Sequence, residues 1–327
     1  MSTNPQRIDT HHHFQPPEFI QSLKRRNIAW TGGPKVPEWN IEIAREVMGR
    51  NGIDIAVASV VPHMNWGDDA EAARWARHCN EFSTRIVHDD PAHFGCFASL
   101  PMPDVKACLV ELEYALDTLK LDGVILMASQ GTKYLGDPSY EELFAELDRR
   151  HAIVFIHPNT VPPGATVPQL SLPWGIVEFM ADTTRCITNL LYNGVLERYP
   201  NIRYIVSHAG ATVPFIAQRI ALGATELPGF IDKVPKGPLH YLQRLYYDTA
   251  LSTSDFAQAA LREFVPTSQI LFGSDWPMVT EKVVQMETSG LESSKVLTDA
   301  TRQAIYRDNA LALFPRFATK AKARATA

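Results

Sequence analysis

The chain is short of cysteine, of long apolar runs and of basic charge, and each shortage removes a class of function. Its four cysteines, Cys79, Cys96, Cys108 and Cys186, form no CxxC pair. Zinc fingers and disulfide scaffolds need closer or denser cysteines. The thiols are therefore read as buried and reduced, as in a cytoplasmic protein. Lys and Arg number 31 against 36 Asp and Glu, a formal net charge of −5. No basic face is advertised, so nucleic acid is not an expected partner. No apolar stretch reaches the roughly 20 residues that span a bilayer, and Met1–Arg7 lacks the apolar core of a secretory signal. A membrane is therefore not expected as a partner either. No GxGxxG or GxxxxGK follows any apolar segment, so the dinucleotide and P-loop fingerprints are missing.

What remains is an ordinary globular composition, 45% hydrophobic and 20% charged over 327 residues. Short β-rich runs bounded by turn residues recur along it. They are Arg7–His13, Ile53–Val61, Phe94–Leu100, Gly123–Ala128, Ala152–His157, Arg203–His208, Leu245–Thr249 and Ile270–Ser274. Most are almost continuously apolar, as suits parallel strands covered on both faces. Stretches with helical spacing separate them: Asn40–Arg50, Asp68–His88, Val105–Leu119, Ser139–Arg150, Thr183–Tyr199, Val213–Thr225 and Ser254–Phe264. Eight such repeats predict a (β/α)8 barrel, an α/β fold in which residues 1–327 form one domain. Residues 14–39 and the Pro-rich residues 159–174 read as loop insertions. Both follow C-terminal strand ends, where a barrel builds its site.

The polar residues fall at those ends. The first strand closes on His11-His12-His13, the fifth on His157, the sixth on His208, and the eighth leads into Asp275. Alternation places His11 and His13 on one face and His12 on the other. Imidazole nitrogens with one carboxylate suit a mononuclear divalent ion and leave a position for water or substrate. Taken singly, His157 could bond a loop carbonyl, Asp275 could cap a turn and His208 could bond within the next helix. Jointly, ligand-type residues at four strand ends favour a metal. The fourth strand offers no lysine to bridge a second ion, so one ion is expected.

At these residues the chain resembles the amidohydrolase superfamily, in the branch of metal-dependent decarboxylases around aminocarboxymuconate-semialdehyde decarboxylase. The motifs that carry the resemblance are Asp9-Thr10-His11-His12-His13, Phe155-Ile156-His157-Pro158, Val206-Ser207-His208-Ala209-Gly210 and Phe272-Gly273-Ser274-Asp275-Trp276-Pro277. Residues 11–19, 133–138 and 181–186 are most similar to the 6-methylsalicylate decarboxylases. The resemblance implies a barrel holding one divalent ion, zinc first and manganese as the alternative, in a homodimer. It also implies His11, His13, His157 and Asp275 as ligands, His208 as a catalytic histidine, and Arg219 as a residue reaching a neighbouring subunit's site. The first loop carries Lys35 but no matching arginine after Arg26, which favours a compact aromatic acid with one carboxylate.

The activity this implies is non-oxidative decarboxylation of a salicylate-type acid to CO2 and a phenol. Asp275 is the first choice as proton donor and His208 the second, and Tyr134, Trp276 and Trp39, with Trp30 and Trp174, supply aromatic pocket candidates. Two alternatives stand beside it: a metal-dependent hydrolase of a lactone or amide on the same barrel, and a non-catalytic metal-binding scaffold.

Overall fold

The computed structural model of the chain describes residues 6–26, 38–61, 67–159 and 172–318. Eight parallel strands pair in chain order: β1 (Arg7–His13), β2 (Ile53–Ser59), β3 (Phe94–Ser99), β4 (Gly123–Met127), β5 (Ile153–His157), β6 (Arg203–Val206), β7 (Tyr246–Asp248) and β8 (Ile270–Leu271). The sheet closes on itself where residues beyond β8 meet β1. Thr10 N–H donates to Phe272 O at 2.9 Å, Asp275 N–H to His11 O at 2.7 Å and His13 N–H to Trp276 O at 2.8 Å. The expected α/β barrel is present.

Period-two alternation sorts the strand residues into two cores. Ile8, Ile55, Val57, Phe97, Ile125, Ile153, Phe155, Ile205 and Leu271 fill the interior, and Ala310, Leu313, Phe314 and Phe317 of the C-terminal segment close its floor. The opposite faces, with Ala56, Ala58, Ala98, Val124, Leu126, Val154 and Ile156, pack under the helices. Each fully buried Ile, Leu or Phe stabilises the fold by about 1.5–3 kcal/mol. The small alanines of β2 and β3 let their helices approach.

The longer helices among the described residues are α1 (Pro17–Arg25), α2 (Ile41–Arg50), α3 (Asp69–Asp89), α4 (Val105–Glu113), α5 (Glu141–Arg149), α6 (Glu178–Tyr192), α7 (Val213–Ala221), α8 (Asp255–Phe264) and α9 (Glu281–Ser293). Asn40, Asp68 and Asp104 start α2, α3 and α4 by accepting backbone N–H groups two or three residues on. The helix expected at Val105–Leu119 changes to a π-type turn over Tyr114–Thr118. The one expected at Thr183–Tyr199 starts earlier, at Glu178, and is interrupted after Tyr192, where Gly194 takes φ 69°. Helix α1 forms inside the segment 14–39 read as a loop insertion, and α9 lies beyond the stretches whose spacing predicts helix. Trp30, Lys35 and residues 160–171 of the second insertion lie outside the described residues. All four cysteines are free and buried. Among the described residues, no helix is long and apolar enough to cross a membrane.

Candidate metal centre

The strand that points Ile153 and Phe155 inward delivers His157 inward two residues later, at the C-terminal end of β5. Strand β1 needs a correction to simple alternation. Ile8 faces the interior, so unbroken alternation would send His12 inward. A register irregularity between Asp9 and His12 restores His11 and His13 to the interior face. The three imidazoles form a near-equilateral triangle, with ring centroids 5.1 Å (His11–His13), 5.4 Å (His11–His157) and 5.2 Å (His13–His157) apart. His12 faces the other way, its ring 5.0 Å from that of Trp276.

Asp275 completes the set. Its Oδ1 lies 3.2 Å from His11 Nε2 and 3.1 Å from His13 Nε2. One ligand-type atom from each of His11, His13, His157 and Asp275 lies within 4.8 Å of the others. Their other atoms are engaged so as to leave lone pairs for an ion. A carboxylate only accepts, so His11 Nδ1–H donates to Asp248 Oδ2 at 2.8 Å. His157 Nδ1–H donates to Pro158 O at 2.9 Å. His11 Nε2 and His157 Nε2 are buried without a hydrogen-bond partner. Buried polar nitrogens left open in this way fit a divalent ion, and three imidazoles with one carboxylate are a donor set that zinc accepts.

His208 stands beside this set through an unusual backbone. His208, Ala209, Gly210 and Ala211 all have positive φ, between 54° and 73°. Asp275 does too, at 56°. Each non-glycine residue held there costs on the order of 1 kcal/mol, and such strain gathers where function needs a fixed direction. The run carries the His208 ring to 5.0 Å from that of His11, with Nε2 3.4 Å from Asp275 Oδ2 and Nδ1 buried without a partner.

Two carboxylates brace these groups. Asp248, at the end of β7, orients His11 through Oδ2, while its Oδ1 accepts the N–H groups of His208 at 2.9 Å and Ala250 at 3.0 Å. Asp9 accepts His11 N–H and Ser274 N–H through Oδ1, at 3.0 and 3.1 Å. Its Oδ2 accepts His12 Nδ1–H and Ser274 Oγ–H, at 3.0 and 2.6 Å. Asp9 thus ties β1 to the segment that carries Asp275. The sequence motifs include Asp9 without a role and leave out Asp248, whose only local signal is a lone carboxylate near the end of the seventh apolar run.

The charge states follow from burial and neighbours. Desolvation alone would lower His11, but Asp248 and Asp275 outweigh it and hold its pKa well above the usual histidine value. Desolvation lowers His13, with the Asp275 hydrogen bond opposing. His157 falls well below the usual value through desolvation and the neighbouring His13 and His11. Burial would raise Asp275, yet the charge of His11 and the ring nitrogens of His11, His13 and His208 set around the carboxylate hold it well below the usual carboxylate range.

The remaining sequence candidates are more dispersed. Tyr134 is half-buried against Arg185 and Asp182 of α6. Trp39 packs on Phe14 and Phe82, and Trp276 on His12. Trp174 opens the short turn before α6, and Arg219 is exposed on α7. Phe179, which the motifs did not single out, is 6% exposed with its ring 6.3 Å from that of His157.

Comparison with known proteins is consistent along the whole barrel. An amidohydrolase family model matches residues 8–316. A 6-methylsalicylic acid decarboxylase of Penicillium expansum is 34% identical over 319 residues, covering 95% of this chain and 96% of the relative. A solved amidohydrolase II structure superposes with a TM-score of 0.88 at 30% identity, covering 94% of this chain and 99% of that one. A dihydroxybenzoic acid decarboxylase of Polaromonas sp., solved with bound manganese and the inhibitor 2-nitroresorcinol, shares the fold. Its TM-score is 0.77 at 20% identity, covering 94% of this chain and 96% of that one.

Proposed function

The chain belongs to the amidohydrolase family, and from that premise we propose that it is a metal-dependent, non-oxidative decarboxylase. Its substrate is a small aromatic hydroxy acid, 6-methylsalicylate or a related hydroxybenzoate, which is split into CO2 and a phenol. The observation that carries this reading is an acid–base pair, His208 Nε2 and Asp275 Oδ2 at 3.4 Å, set on a buried three-histidine, one-carboxylate cluster. The 34% identity to a 6-methylsalicylic acid decarboxylase across 95% of the chain supports the substrate class. His11, His13, His157 and Asp275 would hold one divalent ion, zinc first and manganese second. Bound there, the ion would supply positive charge to the acid's carboxylate and ortho oxygen and fix the ring.

Direct loss of CO2 would leave an electron pair in the plane of the ring, where the π system cannot spread it. Protonating the carboxylate-bearing carbon first avoids this. The new C–H bond forms from ring π electrons, the bond to the carboxylate breaks, and its electron pair restores the aromatic ring. Asp275 is the first choice for proton delivery. It rests ionised, so it takes up the proton of the ortho hydroxyl as the acid binds and returns it to the carbon. The phenolate left behind regains a proton from solvent on release. His208 is the second choice, and its contact with Asp275 also steadies that carboxylate. Trp39 and Trp276 would shape the wall behind Phe14 and His12, while Tyr134 would serve the mouth.

A homodimer fits the exposed face of α7. Phe215, 88% exposed, and Arg219 are one turn apart on it, an apolar anchor beside a cation for a second copy's site. The single-domain reading is supported by the C-terminal segment that floors the barrel. Four free, buried thiols accord with the cytoplasm.

The test incubates zinc-loaded protein with 6-methylsalicylate and follows CO2 and 3-methylphenol. Acid production from lactones or amides without CO2 from any hydroxybenzoate would replace this reading with the hydrolase.

A further inference from the structure

Glu287 lies on the inner face of α9, 3% exposed and outside the ligand set. Its Oε1 accepts the backbone N–H of Leu251, and its Oε2 is buried without a hydrogen-bond partner. Leu251 follows Asp248 by three residues and holds a left-handed φ of 56°. The turn it belongs to closes through Ser252 N–H to Thr249 O at 3.0 Å. A leucine kept in a region that favours glycine must be restrained from outside the turn.

Three contacts supply that restraint. Asp248 Oδ1 accepts Ala250 N–H at 3.0 Å, and Gln258 of α8 donates from Nε2 to Ser252 O at 2.8 Å. Glu287 is the third, on the Leu251 N–H itself. Helix α9 comes this close because Gly290 has no side chain; a Cβ there would meet Thr253 Oγ1 at 2.8 Å.

We infer that Glu287 is a positioning residue for the metal centre: by clamping Leu251 it fixes the turn that aims Asp248 at His11 and at the His208 backbone. Desolvation pushes its carboxyl up to about 9, with the Leu251 N–H opposing, Asp275 and Asp9 adding to the rise and His11 opposing it. A neutral acid therefore holds the turn without adding charge beside Asp9 and Asp275.

The inference rests on the reading that His11, His13, His157 and Asp275 bind a divalent ion, and not on the reaction. Zinc affinity is measured by competition with a chromophoric chelator, with circular dichroism as the check on folding. Glu287→Gln, neutral and still able to accept from Leu251, keeps affinity within about twofold of the unaltered chain. Glu287→Ala loses roughly 10–100-fold, the usual effect of removing a group that orients a ligand. Leu251→Gly removes the strain that the clamp opposes, so the double variant Leu251→Gly/Glu287→Ala regains most of that affinity. It also stands in should Glu287→Ala not fold. Unchanged affinity in Glu287→Ala, a loss in Glu287→Gln as large as in Glu287→Ala, or no recovery in the double variant overturns the inference. An unaltered chain that binds no zinc overturns the metal-centre reading itself, a result separable from the others.

Discussion

His11 and Asp248 are 237 residues apart in the chain and joined by a 2.8 Å hydrogen bond from Nδ1–H to Oδ2, both side chains fully buried. The bond fixes the tautomer of His11 and leaves its Nε2 lone pair facing the other candidate ligands.

Asp248→Asn should therefore weaken zinc binding by roughly 10–100-fold without unfolding the barrel. The amide can turn its NH2 toward His11, which then loses the acceptor that set its tautomer. Chelator competition reads the loss, and the reading of Asp248 as the orienting group fails if affinity is unchanged.

Binding of the ion should release a proton and strengthen as pH rises. His11 is held protonated to a higher pH than a free histidine because Asp248 and Asp275 outweigh its desolvation. In the ion-free protein that interaction contributes stability below the ordinary histidine pKa and loses it as pH rises through the raised one. A bound ion needs the neutral ring, so protons compete with it on the acid side. Calorimetry in two buffers of different ionisation enthalpy should give close to one proton released near neutral pH, and less in Asp248→Asn.

Asp275→Asn should lower CO2 release from a hydroxybenzoate by roughly 10²–10⁴-fold, the range for losing a positioned proton donor. His208→Gln should act in the same direction with a smaller loss of bound metal, since its Nε2 meets Asp275 and its side chain is outside the four-residue set. Full activity in Asp275→Asn would remove its assignment as the donor.

Gly273→Ala should damage the centre through sterics alone. A Cβ at this position would lie 2.7 Å from His11 Cβ and 3.0 Å from Asp248 Cβ, between the two partners. Overpacking of this kind costs about 1–3 kcal/mol. Thermal denaturation in chelator should show a lower midpoint, and zinc affinity should fall alongside it.

The eight-strand series and the ligand-type residues at its ends are legible in the chain alone, because both are written in local pattern. Near-continuous apolar runs mark buried parallel strands, and an imidazole or carboxylate at the end of such a run has few apolar reasons to be there. Direction and support come from the folded barrel. The irregularity between Asp9 and His12 chooses which histidines of β1 face inward. The left-handed backbone at His208 and Asp275 turns two side chains that strand alternation does not place. Asp248 in a Tyr-Tyr-Asp strand end and Glu287 midway along α9 are lone carboxylates in local sequence. Each acquires its role from a partner that barrel closure brings close, and residue spacing encodes periodicity along one element, not distance between two.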